Sequence, residues 1–257
     1  MSLFNEKLKT ITLKELLSVI VILFLIQFFI NSFSIVKISS TWVYVFIIIY
    51  FAYKLKDCFS SFKQDFNGIF SKGVLKYIII VVLLNIFMSY GFLYLADFIL
   101  NAFPAISSLI NFQFSSIYLN NSLIAIGSFI ATVVISPISE ELIFRGVLLN
   151  RLKIILPTLF SVLITSLLFA SMHPFGSIIS AFIFAICMAI LYLKTDNILV
   201  PIFAHFLNNL LAESIVIVDT TNILFTNGLV IFLMSILAVV SFILIIKSIF
   251  EELNKIK

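Results

Sequence analysis

Apolar residues run along this chain in long stretches, without the alternation of a half-buried strand. A helix needs about 20 apolar residues to cross the hydrocarbon core of a bilayer. Eight stretches suggest themselves, at about 16–36, 41–53, 75–100, 122–150, 156–173, 176–193, 198–217 and 228–247. The second and fifth are short and the fourth is long. Inside lipid each segment must satisfy its own backbone polar groups, so the runs are read as helices. The main polar insertion is 54–76. There Phe59, Phe62, Phe66, Ile69 and Phe70 are set among lysines, which predicts an amphipathic helix on the membrane surface. The expected architecture is all-α, a polytopic membrane helix bundle forming one membrane domain over 1–257. Within it, 1–121 hold the N-terminal helices and the amphipathic segment, 122–217 a core, and 218–257 the last helix and tail.

Composition strengthens this reading. Of the 257 residues, 62% are hydrophobic and 11% charged, against about 25% charged in a soluble domain. The first apolar run is too long for a signal-peptide core, and Lys37 follows it with no small-residue cleavage site. Basic residues fall in alternate loops. Lys7, Lys9 and Lys14 precede the first span, five lysines lie in 54–76, Arg151 and Lys153 follow the fourth, and Lys194 follows the sixth. The segment 101–121 has no charge. The positive-inside rule then puts both termini in the cytoplasm. A net charge of +4 spread over loops excludes a nucleic-acid patch. Cys58 and Cys187 have no metal or redox spacing. The wealth of Phe, Ile, Asn and Lys points to an AT-rich bacterial genome, hence a bacterial plasma membrane.

Against this background Ser139-Glu140-Glu141-Leu142-Ile143-Phe144-Arg145-Gly146 stands out. Each charge at the centre of a membrane helix costs roughly 3 kcal/mol on insertion scales. Glu141 and Arg145 are four apart, share a helix face and can pair. Glu140 points about 100° away, into a low-dielectric site without that partner, as suits a general base. Pro137, just upstream, frees a backbone carbonyl and can kink the helix. Phe169 and His173, and then His205 and Asn209, repeat the four-residue spacing. The chain has only two histidines, and both fall in apolar spans. A carboxylate can take a proton from water, and histidine and asparagine can donate to an oxyanion. Together they suit hydrolysis of an amide. Two histidines and a glutamate could also hold zinc, but the His-Glu-x-x-His helix of metalloproteases is absent.

Glu140-Glu141-x-x-x-Arg145, Phe169-x-x-x-His173 and His205-x-x-x-Asn209 resemble the three motifs of the CAAX protease and bacteriocin-processing (Abi) family of intramembrane endopeptidases. The surrounding sequence, Asn197-Ile-Leu-Val-Pro-Ile-Phe-Ala-His205-Phe-Leu-Asn-Asn209, is similar too, and the likeness covers roughly 125–215. It implies an eight-helix bundle with a cavity inside the membrane. By it, Glu140 and His173 activate water, His205 and Asn209 form an oxyanion hole, and Glu141, Arg145 and Phe169 support them. It also implies a peptide or membrane-protein tail as substrate, the lipid bilayer as surroundings, and no cofactor, with zinc at the Glu/His cluster as the rival. Bacterial relatives are linked to peptide maturation and bacteriocin self-immunity. The alternative is a non-catalytic membrane scaffold for a signalling or cell-envelope partner; the oligomeric state is left open. A transporter is disfavoured by the absence of repeats and broken half-helices. Asn208, beside Asn209, leaves two candidates for the inward amide, and helical spacing from His205 favours Asn209. Isolated polar residues in the spans, Gln27 and Asn85 among them, read as ordinary interhelical bonds. Asp97, Glu213 and Asp219 read as interfacial or solvated.

Counting rise per residue, Glu140 and His205 each lie about 16 Å above the cytoplasmic ends of their helices, whereas His173 lies about 24 Å up. The fifth span must be tilted, or begin lower, for the three to meet.

Overall fold

In a computed structural model, residues 2–33, 38–103 and 122–255 are described. The end of the first span and most of the uncharged segment 101–121 lie outside them. The described residues are mostly helical, with no strand among them: α1 (Leu3–Thr10), α2 (Leu13–Phe33), α3 (Thr41–Leu55), α4 (Phe62–Ile69), α5 (Lys72–Ala102), α6 (122–155), α7 (Thr158–Ala170), α8 (Ile178–Thr195), α9 (Leu199–Val218), α10 (Ile223–Thr226) and α11 (Gly228–Lys255). Six of these segments are long and apolar enough to cross a membrane, and α7 is a shorter apolar helix. The second and fifth of the eight expected spans thus become the short helices α3 and α7. The chain is a multi-pass membrane protein folded as a helical bundle.

Helix α8 is the axis. Most of its side chains from Ala181 to Tyr192 are buried, and α5, α6, α7, α9 and α11 all pack on it. Small residues let neighbours come this close. Ala185 and Ala189 are fully covered. At the crossing of α5 and α11 a Cβ on Gly91 would stand 2.7 Å from Ala238 Cβ. Helix α9 packs against α5, α6 and α8, and so brings its polar residues to the same level as the carboxylates of α6.

Helix α1, which precedes the first span, is built into the bundle. Leu8 is fully buried over Gly146, where an added Cβ would meet Leu8 Cδ2 at 2.8 Å. Arg151 donates to the carbonyls of Ile11 and Lys9, both at 2.7 Å. Asn5 donates to Asp65 and accepts from the backbone N–H of Ile198 at 2.9 Å. Asn197 donates to the Asp65 carbonyl at 2.8 Å. These buried amides pin α1, α4 and the α8–α9 turn together.

The helix expected over 54–76 is shorter than its pattern. A 3₁₀ stretch, Lys56–Ser61, leads into α4, which has 8 residues, and α5 already begins at Lys72. Within this region Ile69 and Asp65 are buried, while Phe66 and Phe70 are exposed. Asp97 is half-buried and accepts from Asn101. Asp219 is half-buried and caps α10 through the backbone N–H groups of Ile223 and Leu224, so it is not simply solvated.

Candidate functional site

The site begins with a fault in α6. Ala131–Ile135 form a π-helical turn, and the backbone N–H of Ser136 bonds back five residues to Ala131. In that register the next donor would be residue 137, bonding to Thr132. Residue 137 is proline and has no N–H. The Thr132 carbonyl is therefore free of its helix partner, and Asn209 Nδ2 donates to it from α9 at 2.9 Å. The missing backbone bond locks α9 to α6 at the height of the carboxylates. A second π-helical stretch, Leu142–Leu149, follows them. Such wide turns change the face on which side chains emerge and recur at functional sites.

Glu141 and Arg145 pair as their spacing demands. Arg145 Nη1 donates to Glu141 Oε1 at 2.9 Å, and both side chains are buried. Arg145 Nη2 donates to the Ala185 carbonyl at 2.9 Å, and its guanidinium lies 4.8 Å from the centre of the Phe169 ring. His205 Nδ1 bonds the same Glu141 oxygen at 2.9 Å. A carboxylate only accepts, so this nitrogen carries the proton and Nε2 is the free position. Glu140 Oε2 lies 3.9 Å from that Nε2. The two glutamates thus divide the faces of one imidazole, one gripping it and the other standing off beyond direct hydrogen-bond reach.

His173 is not on a helix, contrary to its spacing from Phe169. Helix α7 stops at Ala170, and His173 sits in the turn that leads to α8. This removes the mismatch in depth, because a turn need not follow the helical rise. The pairing with Phe169 survives. His173 Nδ1 donates to the Phe169 carbonyl at 3.0 Å, and the two rings lie 4.6 Å apart. Phe169 also meets His205 edge to face at 5.9 Å. One buried phenyl ring thereby fixes both histidines and the arginine. His173 makes no ion pair with either glutamate among the described residues.

His173, His205, Asn208 and Asn209 line a cavity of about 140 Å³, together with Asn85 and Ser89 of α5. Glu140 touches it only through His205. Asn208 and Asn209 both belong to it: Asn208 Nδ2 donates to Asn209 Oδ1 at 3.2 Å, and Asn85 Nδ2 donates to Asn208 Oδ1 at 2.7 Å. Asn85 thus makes the interhelical bond expected of it, and it lines this cavity as well. Its sequence signal was a polar partner, Ser89, four residues on and on the same face. Glu141 Oε2 and Asn85 Oδ1 are buried with no hydrogen-bond partner among the described residues, a cost of about 1–3 kcal/mol for a neutral group and more for a charged one. Beyond Ile138 and Leu142, on another face of α6, lies an almost wholly apolar cavity of about 380 Å³ lined by Phe51, Phe62, Phe66 and Phe203.

Among the described residues no three His, Cys, Asp or Glu side chains converge as ligands. His205 Nδ1 and Glu141 Oε1 are committed to each other and to Arg145.

A polytopic helical bundle that buries or half-buries two carboxylates, two imidazoles and a row of amides defines a membrane protein with an internal polar site. Residues 122–211 match the family described as type II CAAX prenyl endopeptidase Rce1-like. The match covers 90 of the 257 residues, and the matched family is one of CAAX-type peptidases. No curated protein and no solved structure matches the chain. All seven residues singled out from the three motifs lie inside the matched segment, while Asn85 lies outside it.

Proposed function

We propose that the protein hydrolyses a peptide bond within the membrane, in a small peptide or a membrane-associated tail. Glu140 is the base. A water lies between its carboxylate and His173 Nε2, which is left without a proton because Nδ1 faces a carbonyl. Glu140 takes one proton from the water, and the oxygen attacks the peptide carbonyl carbon. The oxyanion receives hydrogen bonds from protonated His205 at Nε2 and from the second amide proton of Asn209. Collapse breaks the C–N bond, and the leaving amine takes the proton held by Glu140. Glu141 and Arg145 hold His205 in place, and Phe169 spaces the two histidines.

The observation that carries this reading is the imidazole of His205 set between two carboxylates, bonded to Glu141 at 2.9 Å and 3.9 Å from Glu140. Glu141 holds the Nδ1 side of His205, and Glu140 stays free for chemistry. The apolar cavity along α6 would take a lipid chain on the substrate, which favours a lipidated tail. A bacterial plasma membrane, and a role in peptide maturation or bacteriocin self-immunity, complete the proposal.

The test compares wild type with Glu140→Gln and His173→Ala in membranes. Cleavage should fall by at least about a hundredfold in each, with normal amounts of folded protein. Unchanged peptide products would leave the non-catalytic scaffold as the better reading. Water activation is proposed without a metal. Stoichiometric zinc in the purified protein, with activity abolished by a chelator, would overturn that part.

A further inference from the structure

The three asparagines form a chain whose direction is fixed from one end. The Thr132 carbonyl can only accept, so Asn209 must present Nδ2 to it. Asn209 Oδ1 then faces Asn208 Nδ2, and Asn208 Oδ1 faces Asn85 Nδ2. Flipping any one amide would set two donors or two acceptors against each other. The chain therefore ends in an acceptor, Asn85 Oδ1. Asn85 is 4% exposed, this oxygen has no partner among the described residues, and the residue lines the same cavity as His173, His205 and Asn209.

A buried, unpartnered acceptor in a cavity calls for a ligand that donates. A peptide backbone donates through its N–H, and it is bound here if the hydrolytic reading above holds, on which this inference rests. We propose that Asn85 is a substrate-binding residue whose Oδ1 accepts a backbone N–H of the peptide next to the scissile bond. Bonds in such a chain polarise one another. A donor on Asn85 Oδ1 strengthens Asn85 as a donor to Asn208, and so on to Asn209. Filling the acceptor thus also strengthens the amide proposed to face the oxyanion. The α5 helix, outside the matched family segment, would in this way take part in recognition.

The test uses the full-length protein in detergent and a farnesylated peptide ending in a CAAX sequence. A set of copies replaces each backbone amide in turn, except the scissile one, by an ester, which deletes a single N–H. For wild type, one ester should lower kcat/KM about tenfold or more, mainly through KM, because a buried acceptor is left unmet. Asn85→Leu should cleave the parent peptide with KM raised by a similar factor, and that ester should then make no further difference. Should Asn85→Leu fail to accumulate, Asn85→Ala is expected to lose the ester effect and Asn85→Gln, which keeps the amide, to retain part of it. An Asn85→Leu protein that keeps the wild-type response to the ester overturns the proposal, as does a wild type indifferent to every ester. Cleavage by wild type but not Glu140→Gln in the same assay shows that the hydrolytic reading stands even when Asn85 fails. A wild type that cuts no peptide removes both.

Discussion

Helices α2 and α8 are almost equally hydropathic, yet their surroundings are opposite. Over its apolar window α2 is 6% buried within the protein, whereas the stretch Phe175–Thr195, which contains α8, is 72% buried. Lipid tails are as apolar as leucine, so hydropathy does not separate a helix facing lipid from one facing other helices. What differs is size and shape. Helix α2 has no alanine or glycine and exposes Phe24, Phe28 and Phe29. Helix α8 interleaves Ala181, Ala185 and Ala189 with larger side chains. Of the two, α8 lends a backbone carbonyl to the site, that of Ala185 to Arg145. In a membrane the interior of a protein is recognised by closeness of approach more than by greasiness.

The largest predicted effect lies where α8 meets the charges. Arg145→Ala should destabilise by about 3–5 kcal/mol, because it strands Glu141 as a buried charge. Folded yield and thermal unfolding in detergent would show it; full abundance would argue that the ion pair is unimportant. Next is steric. Ala185→Leu overfills the centre of the bundle and should cost about 1–3 kcal/mol, whereas Phe28→Leu on α2 should change stability by less than about 0.5 kcal/mol. Equal melting shifts for the two would break the contrast between the helices. Gly91→Val, at the crossing of α5 and α11, should behave as α8 does and lose about 1–3 kcal/mol. The smallest effect is at the edge. Lys9 and Asp196 pair at 2.7 Å but are partly exposed, so Lys9→Ala should cost at most about 1 kcal/mol, less in high salt.

Much of the site could be read from spacing because its chemistry is local to single helices. Glu141 and Arg145 pair at four residues apart. Glu140 and His205, matched in depth by counting rise per residue, come within 3.9 Å. His173 broke the pattern. An apolar helical stretch gives no sign of where it turns, and α7 ends three residues before the histidine. Nor could spacing show that one glutamate grips His205 while the other stands away, since that depends on how α9 packs against α6. The tie of α1 to the bundle was equally hidden, because Leu8 and Gly146 are far apart in sequence and meet only through packing.

The sequence by itself determined that this is a helical membrane protein with carboxylates, imidazoles and an asparagine in its apolar spans. Those conclusions rest on hydropathy and on the pitch of a helix, which are local properties. Only the tertiary structure decided which helix lies inside, which carbonyl Pro137 releases to Asn209, and that Asn85 closes the row of amides. Each of these depends on contacts between segments distant in sequence, where close packing and the need to satisfy buried polar groups select one arrangement.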